Sequence, residues 1–129
     1  FSRSRGLGDV YKRQILTFSL MMCSKNKDVI MMEDFQSSIL DEKTIVLDVR
    51  TEEEYYGPLG HIDGAILIPI QELQSRLEEL KSFQDETIYV VCRSGQRSNV
   101  GKDILIANNF KAVNVNGGMI SWRPEDSER

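Results

Sequence analysis

From Val29 to Trp122 the chain alternates short β-branched apolar runs with segments of helical periodicity, and no other feature restricts its fold as much. Thr44–Val49 (TIVLDV), Ala65–Pro69 (AILIP) and Thr87–Cys92 (TIYVVC) are nearly continuous apolar runs, the pattern of strands buried on both faces. Ala112–Val115 (AVNV) is a weaker fourth. Between them, Gln71–Phe83 places Leu73, Leu77 and Leu80 on one helical face, and Ser98–Asn108 does the same with Val100, Ile104 and Ala107. Met32–Leu40 and Thr51–Tyr56 are shorter helical candidates. Strands that alternate with helices need crossover connections. The expected fold is therefore α/β, a mainly parallel central sheet of four to five strands with helices on both faces. Ligands of such sheets bind beyond the carboxyl ends of the strands, which directs attention to the loops after Val49, Ile68, Cys92 and Val115.

Length and charge set the outer limits. At 129 residues the chain holds one ordinary domain. One His and two Cys are too few for a closed four-ligand nitrogen/sulfur zinc site. A net charge of −4 with no basic stripe argues against nucleic acid as a principal partner. Ser4–Gln14 (SRGLGDVYKRQ) resembles the conceptual translation of a transposon-type sequencing adaptor, so residues 1–14 are expected not to be native; a basic tail is the alternative. That segment carries +3, and without it the chain falls from −4 to −7. Residues 15–28 read as a leader. Its apolar part, Ile15–Cys23, is shorter than the roughly 20 residues a membrane span needs. Two readings of it stand: the end of an export signal with Cys23 as a lipid anchor, or a leader before a cytoplasmic domain. The domain proper is expected over residues 29–129.

The loop after the third run carries the chemistry. It reads CRSGQRS, Cys92–Ser98, with four residues between Cys92 and Arg97. Gly95 permits a turn that other residues resist. Successive backbone amides in so short a loop form an anion cradle, reinforced by the positive end of the helix that follows. A thiol in that field ionises more readily than free cysteine. Arg97 adds a forked cationic donor and Arg93 a second charge, which together suit a nucleophilic cysteine meeting an anionic substrate. The plainer reading is a small buried cysteine ending a strand, with arginines facing water. The order of strand, glycine-containing loop and helix favours the first.

CRSGQRS resembles the active-site loop of rhodanese-like sulfurtransferases, and three further segments agree in order: LDVRTEEEY (Leu47–Tyr55), GHIDGAILIP (Gly60–Pro69) and NGGMISW (Asn116–Trp122). The resemblance implies that Cys92 is the nucleophile, taking the outer sulfur of a small anionic donor such as thiosulfate and becoming a persulfide. A thiol, whether of a small molecule or of a protein, or cyanide then accepts the sulfur. Arg93, Ser94, Gly95, Gln96, Arg97 and Ser98 would cradle the persulfide, with Arg93 and Arg97 drawing in the donor. No cofactor and no metal is implied. Relatives that are phosphatases or arsenate reductases have one more residue between cysteine and arginine, so the shorter loop here suits sulfur.

The remaining positions have structural readings. Asp48 and Arg50, at a strand's carboxyl end, are expected to form an ion pair or fix the loop. His61 is expected to be a hydrogen-bonding turn residue and not a general base. Thr51 with Glu54 reads as a capping box, with Glu52 and Glu53 at the helix's positive end. Gly117 and Gly118 are expected to supply tight backbone geometry, and Trp122 to pack a helix on the sheet. Asp63 stands where the family often has proline. A binding module that keeps the fold without turnover is the alternative function, disfavoured by the presence of Cys92, Gly95 and Arg97 together. Oligomeric state is not legible.

Overall fold

A computed structural model describes residues 28–38 and 43–123. The readings placed on residues 1–14 and on Ile15–Cys23, the lipid anchor at Cys23 included, lie outside the described residues. The elements run β1 (Val29–Met31), α1 (Met32–Ser38), β2 (Ile45–Asp48), α2 (Glu52–Tyr55), β3 (Ile66–Leu67), α3 (Ile70–Leu73) continuing as a 3-10 helix over Gln74–Phe83, β4 (Thr87–Val91), α4 (Gln96–Ala107), β5 (Lys111–Asn116) and a 3-10 turn at Met119–Ser121. The five strands form one sheet in the order β1-β5-β4-β2-β3, every pair parallel. Among the described residues no helix is long and apolar enough to cross a membrane.

Alternation along the strands divides the core in two. Leu47, Ile88, Val90 and Ala112 face one way, onto Leu73, Leu80 and Leu105 of α3, its 3-10 continuation and α4. Val46, Val91 and Val115 face the other, onto Met32 and Phe35 of α1 and Tyr55 of α2. Both sides of β2 and β4 are thus covered, which is why their sequences read as unbroken apolar runs. The sheet has the parallel, doubly covered form the alternation implied.

Three details depart from expectation. β1 pairs with β5 at the sheet edge and was not read as a strand; three residues with Val29 and Met31 exposed give no buried pattern to find. The stretch Gln71–Phe83 is helical, but mostly 3-10, with a non-helical break at Arg76. The buried face of α4 is centred on Ser98, Gly101, Lys102 and Leu105; of the expected residues Ile104 packs half-buried against the core, whereas Val100 is half exposed and Ala107 is exposed. Gly101 explains that rotation. A Cβ there would sit 3.2 Å from Val90 and 3.4 Å from Val49, so the helix lies on the sheet along its glycine.

Candidate active site

The site forms where β4 ends and α4 begins, over the carboxyl edge of the sheet. Cys92 follows the last residue of β4, with 1% of its surface exposed, and is a free thiol. The chain then turns through Gly95, whose φ of +119° is a left-handed value that favours glycine, and enters α4 at Gln96. A Cβ at Gly95 would also lie 2.7 Å from Asn116 Oδ1, so a side chain there would have to displace that amide.

The loop points its donors at the sulfur. The Gly95 amide donates to Cys92 Sγ at 3.0 Å, and the Ser98 hydroxyl lies 3.3 Å from it. Burial alone would push the Cys92 thiol up. Hydrogen bonds from the Ser98 hydroxyl and from the Ser98, Gly95 and Ser94 amides outweigh that and hold it below the ordinary thiol value. A short nest of amides at the start of a twelve-residue helix stabilises negative charge on sulfur by both routes, hydrogen bonding and the helix dipole.

Two flanking contacts hold the loop in place. Asn114, on the α4 side of β5 and 5% exposed, accepts the Ser98 hydroxyl proton at 2.5 Å through Oδ1 and donates through Nδ2 to the Gly95 carbonyl at 3.3 Å. From the opposite flank, the amides of Met119 and Ile120 donate to the carbonyls of Cys92 (2.8 Å) and Arg93 (3.0 Å). Gly118 makes that approach possible, since a Cβ there would collide with both carbonyls.

The arginines divide. Arg97 does not stand free at the rim: its guanidinium forks onto Glu54 of α2, at 2.7 and 2.8 Å. The Arg97 hydrogen bonds, first among several causes, lower the Glu54 carboxyl to about 2. Glu54 at the same time completes the capping box with Thr51, so one carboxylate ties α2 to the start of α4. The Arg93 side chain is exposed and has no partner among the described residues. It lines a cleft of about 310 Å³ together with Arg50, Glu54, Pro58 and Leu59. Gln96 is exposed on the first turn of α4.

The remaining candidates are knitted into the scaffold. Arg50, 1% exposed, is bidentate on the fully buried Asp48 and also donates to the carbonyls of Glu54 and Gly60. His61 stacks on Tyr55, ring centroids 3.7 Å apart, with Nδ1 2.9 Å from the Tyr55 carbonyl. Neither contact involves the loop. Sequence reasoning missed Asn114 and the Glu54–Arg97 pair. Asn114 had a readable signal, a polar residue at an inward position of an apolar strand. The pairing of Glu54 with Arg97 had none.

Comparison with known proteins agrees with this architecture. A Bacillus subtilis (strain 168) protein provisionally named as a sulfur carrier, YrkF, is 38% identical over 95 residues, covering 72% of this chain and 49% of its own length. The chain thus spans about half of that relative. A second Bacillus subtilis protein, provisionally named as a sulfurtransferase, YtwF, is 40% identical over 86 residues, 66% of this chain and 79% of its own. The crystal structure of a rhodanese-like domain protein from Staphylococcus aureus superposes with a TM-score of 0.64 at 37% identity, over 76% of this chain and 93% of that one. The rhodanese-like domain family matches residues 31–125, and with the parallel sheet and the Cys92 loop already described, this chain belongs to that family.

Proposed function

We propose that the chain is a sulfurtransferase that carries sulfane sulfur on Cys92. The observation that carries this reading is the convergence of the Gly95 amide and the Ser98 hydroxyl on Cys92 Sγ, with the thiol held below its ordinary value. An ionised Sγ attacks the outer sulfur of an anionic donor such as thiosulfate. A new S–S bond forms, the donor's own S–S bond breaks, and sulfite leaves with the electron pair. The resulting persulfide anion inherits the donors that held the thiolate, and the cradle needs no added proton or metal for this step. A thiol acceptor then attacks the outer sulfur and restores Cys92. Arg93, exposed and unpaired among the described residues, is the cation that draws the donor to the cleft. The sulfur-carrier and sulfurtransferase names of two relatives support the same class of chemistry.

The test is mass spectrometry of the protein after incubation with thiosulfate in the absence of reductant. Gain of one sulfur atom on Cys92, absent in Cys92→Ser, is the expected result. No gain would leave a binding module of the same fold as the better reading.

A further inference from the structure

We propose that Glu54 sets the donor preference of this site: by neutralising Arg97 it favours singly charged organic sulfane-sulfur donors over dianionic thiosulfate. The inference rests on the sulfurtransferase reading and names the substrate class of the same site. Three arginines line or border the cleft beside the loop. Arg50 is cancelled by Asp48, and Arg97 is cancelled by the two-pronged contact with Glu54, leaving Arg93 as the cleft's cation without an ion-pair partner among the described residues. That is one net positive charge, which compensates a singly charged donor and leaves a dianion half uncompensated as it is taken out of water. Pro58 and Leu59 supply an apolar wall against which an organic substituent packs and a bare inorganic ion gains nothing. A thiosulfonate has both features. The Cys92 thiolate forms a bond to its outer sulfur, the bond from that sulfur to the sulfonyl sulfur breaks, and a sulfinate leaves with the pair; one negative charge stays on the persulfide and one departs.

The clean variant is Glu54→Gln, because glutamine at this position also completes a capping box and preserves α2. It frees Arg97 and adds one positive charge to the cleft. KM for benzenethiosulfonate is expected to fall by up to about five-fold, the size of one unit-charge contact in water, and KM for dianionic thiosulfate by more, since it carries two charges. Arg97→Gln leaves Glu54 as a bare negative charge, and thiosulfate is expected to lose more of its kcat/KM than benzenethiosulfonate does. Selectivity moving in opposite directions in the two variants, most strongly at low salt, supports the proposal. An unchanged ratio in Glu54→Gln, or a shift of the same sign in both, overturns it. Protection of Cys92 from iodoacetamide by sulfate against methanesulfonate reads the same charge discrimination without turnover. Failure of sulfur transfer as such would therefore be distinguishable from failure of the charge argument.

Discussion

Ser98 has one hydroxyl proton and two neighbours that accept it: Asn114 Oδ1 at 2.5 Å and Cys92 Sγ at 3.3 Å. With the thiol protonated, Cys92 donates to Ser98 Oγ and the hydroxyl donates to Asn114. Once the sulfur ionises it has no proton to give, and the hydroxyl serves it best by turning inward. Asn114 of β5 thereby orients the hydroxyl that faces the sulfur just beyond the end of β4.

Ser98→Ala removes the turning donor and leaves the backbone amides of residues 98, 95 and 94 to hold the sulfur. Hydrogen bonds to charged groups contribute about 1.5–3 kcal/mol, so iodoacetamide alkylation of Cys92 near neutral pH is expected to slow about ten-fold or more. Its pH midpoint moves up, toward an ordinary thiol. An unmoved midpoint would show that the amides alone carry the effect.

The Glu54–Arg97 pair has a signature in acid. The Glu54 carboxyl is lowered from 4.5 to about 2 by its Arg97 hydrogen bonds. A group depressed in the folded state stabilises fully above its unfolded pKa, and that contribution disappears as pH falls through the folded one. The window is therefore about pH 4.5 down to 2. Both side chains are roughly a third exposed, so screening leaves about 1 kcal/mol. Urea denaturation of the wild type and Glu54→Gln across this window should show the difference between them narrowing as pH falls.

How far the sequence revealed this molecule depended on how local each signal was. β2 and β4 were legible because both faces of each are covered, and the capping box of α2 because Thr51 and Glu54 are three residues apart. The loop from Cys92 to Ser98 was legible as one contiguous segment between a strand and a helix. What was hidden depended on pairing across the fold. Arg97 read as a free cation because nothing in its neighbourhood along the chain foretells Glu54, 43 positions away. The face of α4 was misjudged because counting apolar residues gives Gly101 no weight, whereas close packing on Val90 makes that glycine the centre of the contact.

Gly118→Ala tests how the loop is held from the β5 side. Gly118 has φ +59° and ψ −161°, and an added Cβ would meet the carbonyls of both Cys92 and Arg93. Strain at such a position costs on the order of 1–3 kcal/mol before any clash is counted. The expected outcome is a lower Tm together with a slower-alkylating Cys92, because the carbonyls that bind Met119 and Ile120 must shift. Loss of stability with unchanged thiol reactivity would separate the two effects and show the loop to be self-supporting.

Asp48→Ala removes the partner of Arg50, which is 1% exposed. Breaking a buried ion pair from one side costs about 3–5 kcal/mol, since the remaining charge has nowhere to go. Arg50 keeps its bonds to the Glu54 and Gly60 carbonyls, so the loss is expected toward the lower end, read as a reduced urea midpoint. Asp48→Asn retains one acceptor and should lose less. Equal losses would mean that the charge, which both variants remove, and not the retained acceptor is what the pair contributes.

The size of the cradle supports the proposed reaction class. Four residues separate Cys92 from Arg97, the Gly95 amide bonds directly to the sulfur, and the Arg97 fork is already occupied by Glu54. A phosphoryl group needs several donors spread around three equatorial oxygens and a free guanidinium to share its charge. A persulfide presents a single terminal sulfur and needs neither. Hydrolysis of an aryl phosphate by the purified protein is therefore expected to stay at background between pH 5 and 8. Robust hydrolysis that disappears in Cys92→Ser would contradict this and show that the loop widens enough to embrace a tetrahedral oxyanion.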